Sequence, residues 1–182
     1  DEGTLYVAKL SSDIPASEID GSGKLPAKGS FAGSGTWIPL LHSGPGGKAE
    51  SLVAGISAED VAVFTRLAAD KAGATKMDRP EDFEANPTTG KVYVALTNND
   101  KRGTEGKAKP DAANPRNENK NGQVLEITDD HRGTAFTWDL FVIAGDADTT
   151  NPIQGGGAGY WSYTMHAAEQ RWAQLNGCTQ VR

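Results

Sequence analysis

The sequence is poor in the residues that mark several common kinds of functional site. It has one cysteine, Cys178, so no internal disulfide can form. Its three histidines show no metal-ligand spacing, and we interpret each as a surface or turn residue. The chain contains neither G-x-S-x-G nor G-x-x-x-x-G-K-[ST], the motifs of a serine nucleophile elbow and of a phosphate-binding P-loop. A serine hydrolase or a P-loop enzyme is therefore not expected.

Basic charge and long apolar segments are scarce as well. The net charge is -6, which argues against a nucleic-acid partner because phosphate backbones attract basic surfaces. An acidic protein can still bind phosphate esters if its carboxylates hold cations. No apolar run approaches the roughly 18 residues that cross a bilayer. The longest runs, 37–41 and 140–144, are predicted to be buried strands, and no membrane span is expected.

Glycine and proline are abundant, with 22 and 9 copies, which indicates many turns and favours an all-β protein with short strands. Alternating apolar positions predict strands, with Pro39 at an edge or a bulge of the second. The last two strands are predicted to form a β-hairpin. The predicted strands cover residues 4–10, 36–41, 91–97, 122–128 and 134–145. The segment 11–35 between the first two is interpreted as an irregular surface loop, and the long polar segment 99–121 as a functional loop.

One convincing helix is predicted from Ser57 to Ala72. Ser57 is a good N-cap residue, with an acidic residue three positions later, and Gly73 stands where a helix ends in a left-handed residue. The apolar spacing places four residues on one buried face: Val61, Phe64, Leu67 and Ala68.

The two ends of the chain have their own character. The sequence opens on Asp1 without an initiating methionine and runs directly into a strand pattern, so we interpret it as a mature product or a fragment. Near the other end, the glycine-rich run 155–159 is predicted to be a flexible joint, and 165–175 a short helix. We therefore divide the chain into a main domain, 1–154, and a glycine-linked tail, 155–182.

Two polar clusters are the candidates for chemistry. The first, residues 78–84, has four carboxylates just before a predicted strand, and the second, residues 114–119, contains Arg116 and Glu118. Carboxylate and amide oxygens are the ligands that hard cations prefer, and an arginine two residues from a glutamate can reach the same side. A plainer interpretation stays open at this point, since acidic loops are usually solvated and Asn-Pro pairs are ordinary turn formers.

These clusters lie in an ordered series of longer segments. The segments are DEGTLYVAKL (1–10), GSGTWIPLLH (33–42), GATKMDRPEDFEANPTTGKVYVALTNN (73–99), ANPRNENKNGQVLEI (113–127) and TAFTWDLFVIAGD (134–146). Together they resemble the PhoX family of phosphatases. The resemblance covers about residues 1–148 and depends on the order of the motifs, because each motif alone is weak.

The resemblance implies a mainly β fold, a partial β-propeller of about two blades with one inserted helix. It implies a metal-dependent alkaline phosphatase that hydrolyses phosphate monoesters with calcium and ferric iron, and that is periplasmic or secreted. By resemblance Glu118 and Glu81 are metal ligands, and Arg116 is a catalytic residue that holds phosphate oxygens. The family's iron site includes an upstream cysteine that has no counterpart here, so this chain alone is not expected to assemble the full metal cluster.

The expected partners are small phosphate esters, and a monomer is expected. Two alternatives remain at this stage. One is a non-catalytic, calcium-binding propeller segment, which would show no turnover with any phosphate ester. The other is a phosphodiesterase or phytase-like hydrolase on a similar propeller, which a panel of substrates separates from a monoesterase.

Overall fold

A computed structural model describes residues 2–145 of the chain, and the fold is mainly β, as predicted. The predicted joint, tail helix and domain boundary lie outside the described residues. The described residues form two compact units. The first comprises residues 2–11, 34–76 and 130–136, and the second comprises 12–33, 77–129 and 137–145. No helix in the described part of the chain is long and apolar enough to cross a membrane.

The first unit is built on the antiparallel pair β1 (Gly3–Ser11) and β2 (Ala32–Ser43), with β3 (Ala49–Ser51) paired to β2. The register of β1 and β2 shifts between Leu5 and Tyr6, where Pro39 lies opposite Tyr6. The irregularity predicted at Pro39 is therefore confirmed. Proline has no N–H to donate to a ladder, so it is accommodated where the pairing is already disturbed.

The predicted helix is interrupted, and α1 (Ala58–Val63) and α2 (Thr65–Ala72) replace it. Both predicted ends are confirmed, since the Ser57 side chain accepts from the Asp60 N–H at 3.1 Å and Gly73 is left-handed. The break falls at Phe64, whose φ of -111° and ψ of 43° are not helical. The next residue, Thr65, turns its hydroxyl back to the Val61 carbonyl at 2.8 Å, a local bond that competes with regular helix geometry.

This break corrects the predicted buried face. Val61 and Ala68 are fully buried with Leu40 and Val53 in the core of the first unit, but Phe64 and Leu67 are more than half exposed. Because the helix does not continue through Phe64, the 3.6-residue period cannot be extended across it. The second helix packs instead through Ala68, with Ala69 and Ala72 partly buried beside it.

The second unit contains four strands in the order β7-β6-β5-β4. Their bounds are β4 (Pro80–Ala85), β5 (Val92–Leu96), β6 (Gln123–Asp129) and β7 (Ala135–Ile143), of which Ala135 and Phe136 belong to the first unit. Sequential neighbours pair along the whole row, which is the arrangement of a four-stranded propeller blade.

Strand β4 corrects a prediction, because the acidic cluster was placed before a strand and most of it lies within one. All six residues of β4 are exposed, so burial imposes no alternating pattern on its sequence. Its pairing with β5 is irregular between Pro80 and Asp82, which leaves Glu81 as an extra residue at a bulge.

Candidate functional site

A buried polar cluster organises the loops of the second unit, and Asp78 lies at its centre. The Asp78 carboxylate is fully buried and accepts three side-chain hydrogen bonds: from Arg102 Nε at 2.5 Å, Asn99 Nδ2 at 2.9 Å and Asn119 Nδ2 at 3.2 Å. A buried carboxylate is tolerated only when it is paired and its oxygens are satisfied. The Asp78 carboxylate therefore has a structural role, in which it joins Arg102, Asn99 and Asn119 in the protein interior.

Arg102 extends the cluster into the long loop between β5 and β6. It is 1% exposed, and its Nη1 donates to the Lys109 carbonyl at 2.8 Å and to Asp111 Oδ2 at 3.3 Å. Asp111 in turn accepts from the Asn114 N–H at 2.9 Å. Burial raises the pKa of Asp111, against the opposing effects of Asn114 and Arg102. The polar segment predicted to be a functional loop is thus folded around the buried Arg102 guanidinium.

The same cluster holds both ends of the segment that carries the candidate site residues. At its start, Asn114 Oδ1 accepts from the Asp78 N–H at 2.9 Å. At its end, Asn119 donates to Asp78 and, at 3.3 Å, to Gln123 Oε1. Arg116 and Glu118 lie between these two anchors. The segment 114–119 is therefore fixed by buried hydrogen bonds on either side of the candidate residues.

Arg116 is 2% exposed, and its side chain is directed into the protein. Its Nη1 donates to the Ala144 carbonyl at 2.6 Å and its Nη2 to the Gly122 carbonyl at 2.5 Å. Burial lowers the pKa of Arg116 to about 10, and the charge of Asp78 opposes that effect. Its Nε is buried and has no hydrogen-bond partner among residues 2–145. A buried donor without an acceptor costs about 1–3 kcal/mol, so this nitrogen would gain from an oxygen ligand.

Glu118 and Glu81, the predicted metal ligands, are both exposed. Glu118 has a positive φ of 42°, and its N–H donates to the Arg102 carbonyl at 2.9 Å. Glu81 projects from the bulge of β4, where its Oε1 lies 4.0 Å from Arg79 Nε. The roles assigned to Glu81, Arg116 and Glu118 stay predictions.

The chemistry of these carboxylates fits calcium and ferric iron, which bind hard oxygen ligands. However, residues 2–145 contain no group of three His, Cys, Asp or Glu side chains that could hold a metal ion. Glu81 and Glu118 could therefore each contribute a ligand but would need further ligands to complete a site. Asp78 lies in the same acidic cluster as Glu81, but it is excluded as a metal ligand. Its oxygens already accept hydrogen bonds from Arg102, Asn99 and Asn119.

Sequence reasoning missed the buried cluster, although several of its members lie in the two polar segments that it singled out. The missed residues are Asn99, Arg102, Asp111 and Gln123. The one available signal was compositional, since asparagine recurs through the segment 98–121. Spacing gave no signal, because the Asp78–Arg102 pair joins residues 24 positions apart.

Two comparisons with known proteins give matches. The model of the family described as alkaline phosphatase PhoX matches residues 1–164. Among solved structures, Pseudomonas fluorescens PhoX in complex with vanadate, a transition state analogue, is 38% identical with a TM-score of 0.62. The match covers 86% of this chain and 25% of that chain, so the present chain spans about a quarter of its length. No curated protein matches significantly.

Proposed function

Because the chain belongs to the PhoX family of alkaline phosphatases, we propose that the full-length protein carrying this segment hydrolyses phosphate monoesters at a metal centre. The observation that carries the proposal is the 38% identity to a protein whose structure holds vanadate as a transition state analogue. Vanadate imitates the five-coordinate phosphorus of phosphoryl transfer. A relative that binds this transition state analogue therefore supports phosphoryl-transfer chemistry.

In this proposal Arg116 contributes positive charge and a donor to the phosphate. Its Nε–H is buried and lacks an acceptor among the described residues, so an oxyanion could accept from it without displacing the two carbonyls. The interaction would be strongest as negative charge accumulates on the non-bridging oxygens. The buried anchors at Asn114 and Asn119 hold the backbone of this segment, so the donor is positioned before substrate arrives.

Glu118 and Glu81 are the residues of this chain that would hold the metal ions, calcium and ferric iron. When bound, such cations neutralise phosphate charge and activate an oxygen nucleophile. Both carboxylates are exposed, so a metal bound to them could take further ligands from elsewhere in the full-length protein. This chain covers about a quarter of the solved relative. The chain's own contribution is to orient two carboxylates, one at a β-bulge and one at a left-handed backbone position.

A substrate panel tests the proposed activity. We expect the full-length protein to hydrolyse p-nitrophenyl phosphate, to act far more slowly on bis(p-nitrophenyl) phosphate, and to be inhibited by vanadate. Faster hydrolysis of the diester would favour a phosphodiesterase instead. Calcium binding without turnover of any ester would favour a non-catalytic segment, and either result would overturn the proposal.

We also propose a location and an oligomeric state for the protein. An exported, periplasmic or secreted protein that acts as a monomer on small phosphate esters follows from the family resemblance alone. Cell fractionation of the native protein tests the location, and sedimentation of the purified full-length protein tests the monomer. Recovery in the cytosol or a stable dimer would contradict these two points and leave the proposed chemistry intact.

A further inference from the structure

The segment Asp20–Lys24, which we call the glycine loop, lies along the backbone of Arg116 and Asn117. Gly21 and Ser22 each form an isolated β-bridge with Arg116, and the Asn117 N–H donates to the Gly21 carbonyl at 2.8 Å. The loop therefore contacts the predicted phosphate-binding residue directly, although the sequence indicated only an irregular surface segment.

The two glycines of this loop lie against the two neighbouring side chains. A Cβ atom on Gly23 would stand 2.5 Å from Arg116 Cγ and 2.8 Å from its Cδ. On Gly21 it would stand 2.1 Å from Asn117 Nδ2. Distances below 3.0 Å require one of the two groups to move. The aliphatic stem of Arg116 thus occupies space that is open only because residue 23 has no side chain.

The loop also stabilises its own shape. Asp20 Oδ1 accepts from the Ser22 N–H at 2.8 Å, and Ser22 Oγ accepts from the Lys24 N–H at 3.1 Å. Gly21 and Gly23 have φ of +87° and +75°, a backbone region that glycine adopts without strain. These bonds define the turn that presents Gly23 to Arg116.

We propose that the glycine loop positions Arg116 for phosphate, with Gly23 as the positioning residue, an inference that rests on the proposed function. The Nη atoms are held by the Gly122 and Ala144 carbonyls, and the stem is held against Gly23. Together these contacts determine the direction of the Nε–H, which has no acceptor among residues 2–145. A side chain at position 23 would displace the stem and with it the donor offered to the substrate.

The test compares Gly23→Ala with Gly29→Ala in the full-length protein. Gly29 has a similar φ of +82°, but a Cβ there meets nothing within 4 Å, so the control has the same backbone strain without the contact. We expect Gly23→Ala to raise KM for p-nitrophenyl phosphate and to weaken vanadate inhibition by about 10- to 100-fold, the effect of a small misplacement. Gly29→Ala should leave both constants unchanged. Equal constants in the two variants would overturn the inference.

A double-mutant cycle checks that Gly23 acts through Arg116. In an Arg116→Ala background, adding Gly23→Ala should change KM by less than about twofold, because the residue it displaces is already absent. Full additivity would overturn the inference. If Gly23→Ala does not fold, Asp20→Ala provides the test, because it removes the bond to the Ser22 N–H and loosens the loop without adding an atom. An unchanged vanadate inhibition constant in Asp20→Ala would overturn the positioning role of the loop.

Failure of the inference differs from failure of the proposed function. If the full-length protein hydrolyses no monoester, the proposed function fails. If it is active and Arg116→Ala impairs it while Gly23→Ala matches Gly29→Ala, only the positioning role is lost.

Discussion

The Asp78 carboxylate and the Arg102 guanidinium form a buried ion pair, with 2.5 Å between Oδ1 and Nε and at most 1% of either side chain exposed. The pair links the segment before β4 to the loop after β5. The carbonyl of Arg102 also accepts from the Glu118 N–H. The most buried charges of the described chain thus support the backbone that carries the candidate site.

Removing Arg102 should destabilise the protein strongly. In Arg102→Met the Asp78 carboxylate remains buried without its cation, which costs about 3–5 kcal/mol in the free energy of unfolding. Urea unfolding of the full-length protein measures the loss. Arg132→Met, which removes an exposed arginine, is the control and should change stability by less than about 0.5 kcal/mol.

The pair can be separated from general damage by a second substitution. The double variant Asp78→Asn/Arg102→Met has neither buried charge. Its loss in the free energy of unfolding should therefore be clearly smaller than the sum of the losses in Asp78→Asn and Arg102→Met. Strict additivity would show that the two residues contribute independently and that the ion pair is not what stabilises this loop.

The sequence predicted the positions of β6 and β7 closely, and in β7 buried positions alternate with more exposed ones along most of the strand. It missed β4, whose six residues are all exposed, because a strand without a buried face shows no period of two. The position of the helix and both of its ends were predicted correctly. The helix is interrupted at the non-helical residue Phe64, however, so Phe64 and Leu67 are exposed instead of buried. Apolar spacing predicts helices and strands, but it does not reveal a break accompanied by a side-chain hydrogen bond, here from Thr65 to the Val61 carbonyl.

The candidate site was predictable only as a segment. Motif resemblance selected Arg116 and Glu118 as candidates, yet it could not show that Arg116 points inward to two carbonyls while Glu118 is exposed. Asp78 pairs with Arg102, 24 positions along the chain, rather than with its neighbour Arg79. Such contacts depend on the tertiary fold, which places residues together independently of their separation in the chain.

Asp139 on β7 should make stability depend on pH. Burial raises the pKa of Asp139, the charge of Glu126 raises it further, and Lys91 opposes both. The folded state then holds the proton more tightly than the unfolded state, whose pKa is near 3.8. Stability therefore falls as pH rises from about 3.8 through the raised folded-state value.

Asp139→Asn should accordingly raise the melting temperature at pH 7 and give no such gain well below pH 3.8, where the carboxylate is protonated in both states. Thermal unfolding across that pH range provides the measurement. The exposed Asp100→Asn is a matched control and should show no comparable trend. A gain that is independent of pH would point to packing rather than to charge.

Calcium should raise the melting temperature of the full-length protein, and EDTA should reverse the effect. Binding to the native state stabilises it by about 2.7 kcal/mol at a hundredfold excess over Kd. Glu81→Gln should reduce this shift, because Glu81 is a proposed ligand, whereas Glu84→Gln on the same exposed strand should not. A melting curve insensitive to both calcium and EDTA, or equal effects of the two variants, would count against Glu81 as a ligand.

Arg116 and Glu118 should fail in different ways when substituted. Arg116→Lys keeps the charge but loses Nε and the planar fork, so we expect kcat/KM to fall by an amount equivalent to about 2–4 kcal/mol. Glu118→Gln should lower bound calcium or iron together with activity, because an amide is a weaker ligand than a carboxylate for hard cations. Elemental analysis separates the two effects, with normal metal content expected only in the arginine variant. The matched controls are Arg132→Lys and Glu105→Gln, both exposed. If Arg116→Lys and Glu118→Gln retained normal activity and metal content, both residues would serve only to shape the loop.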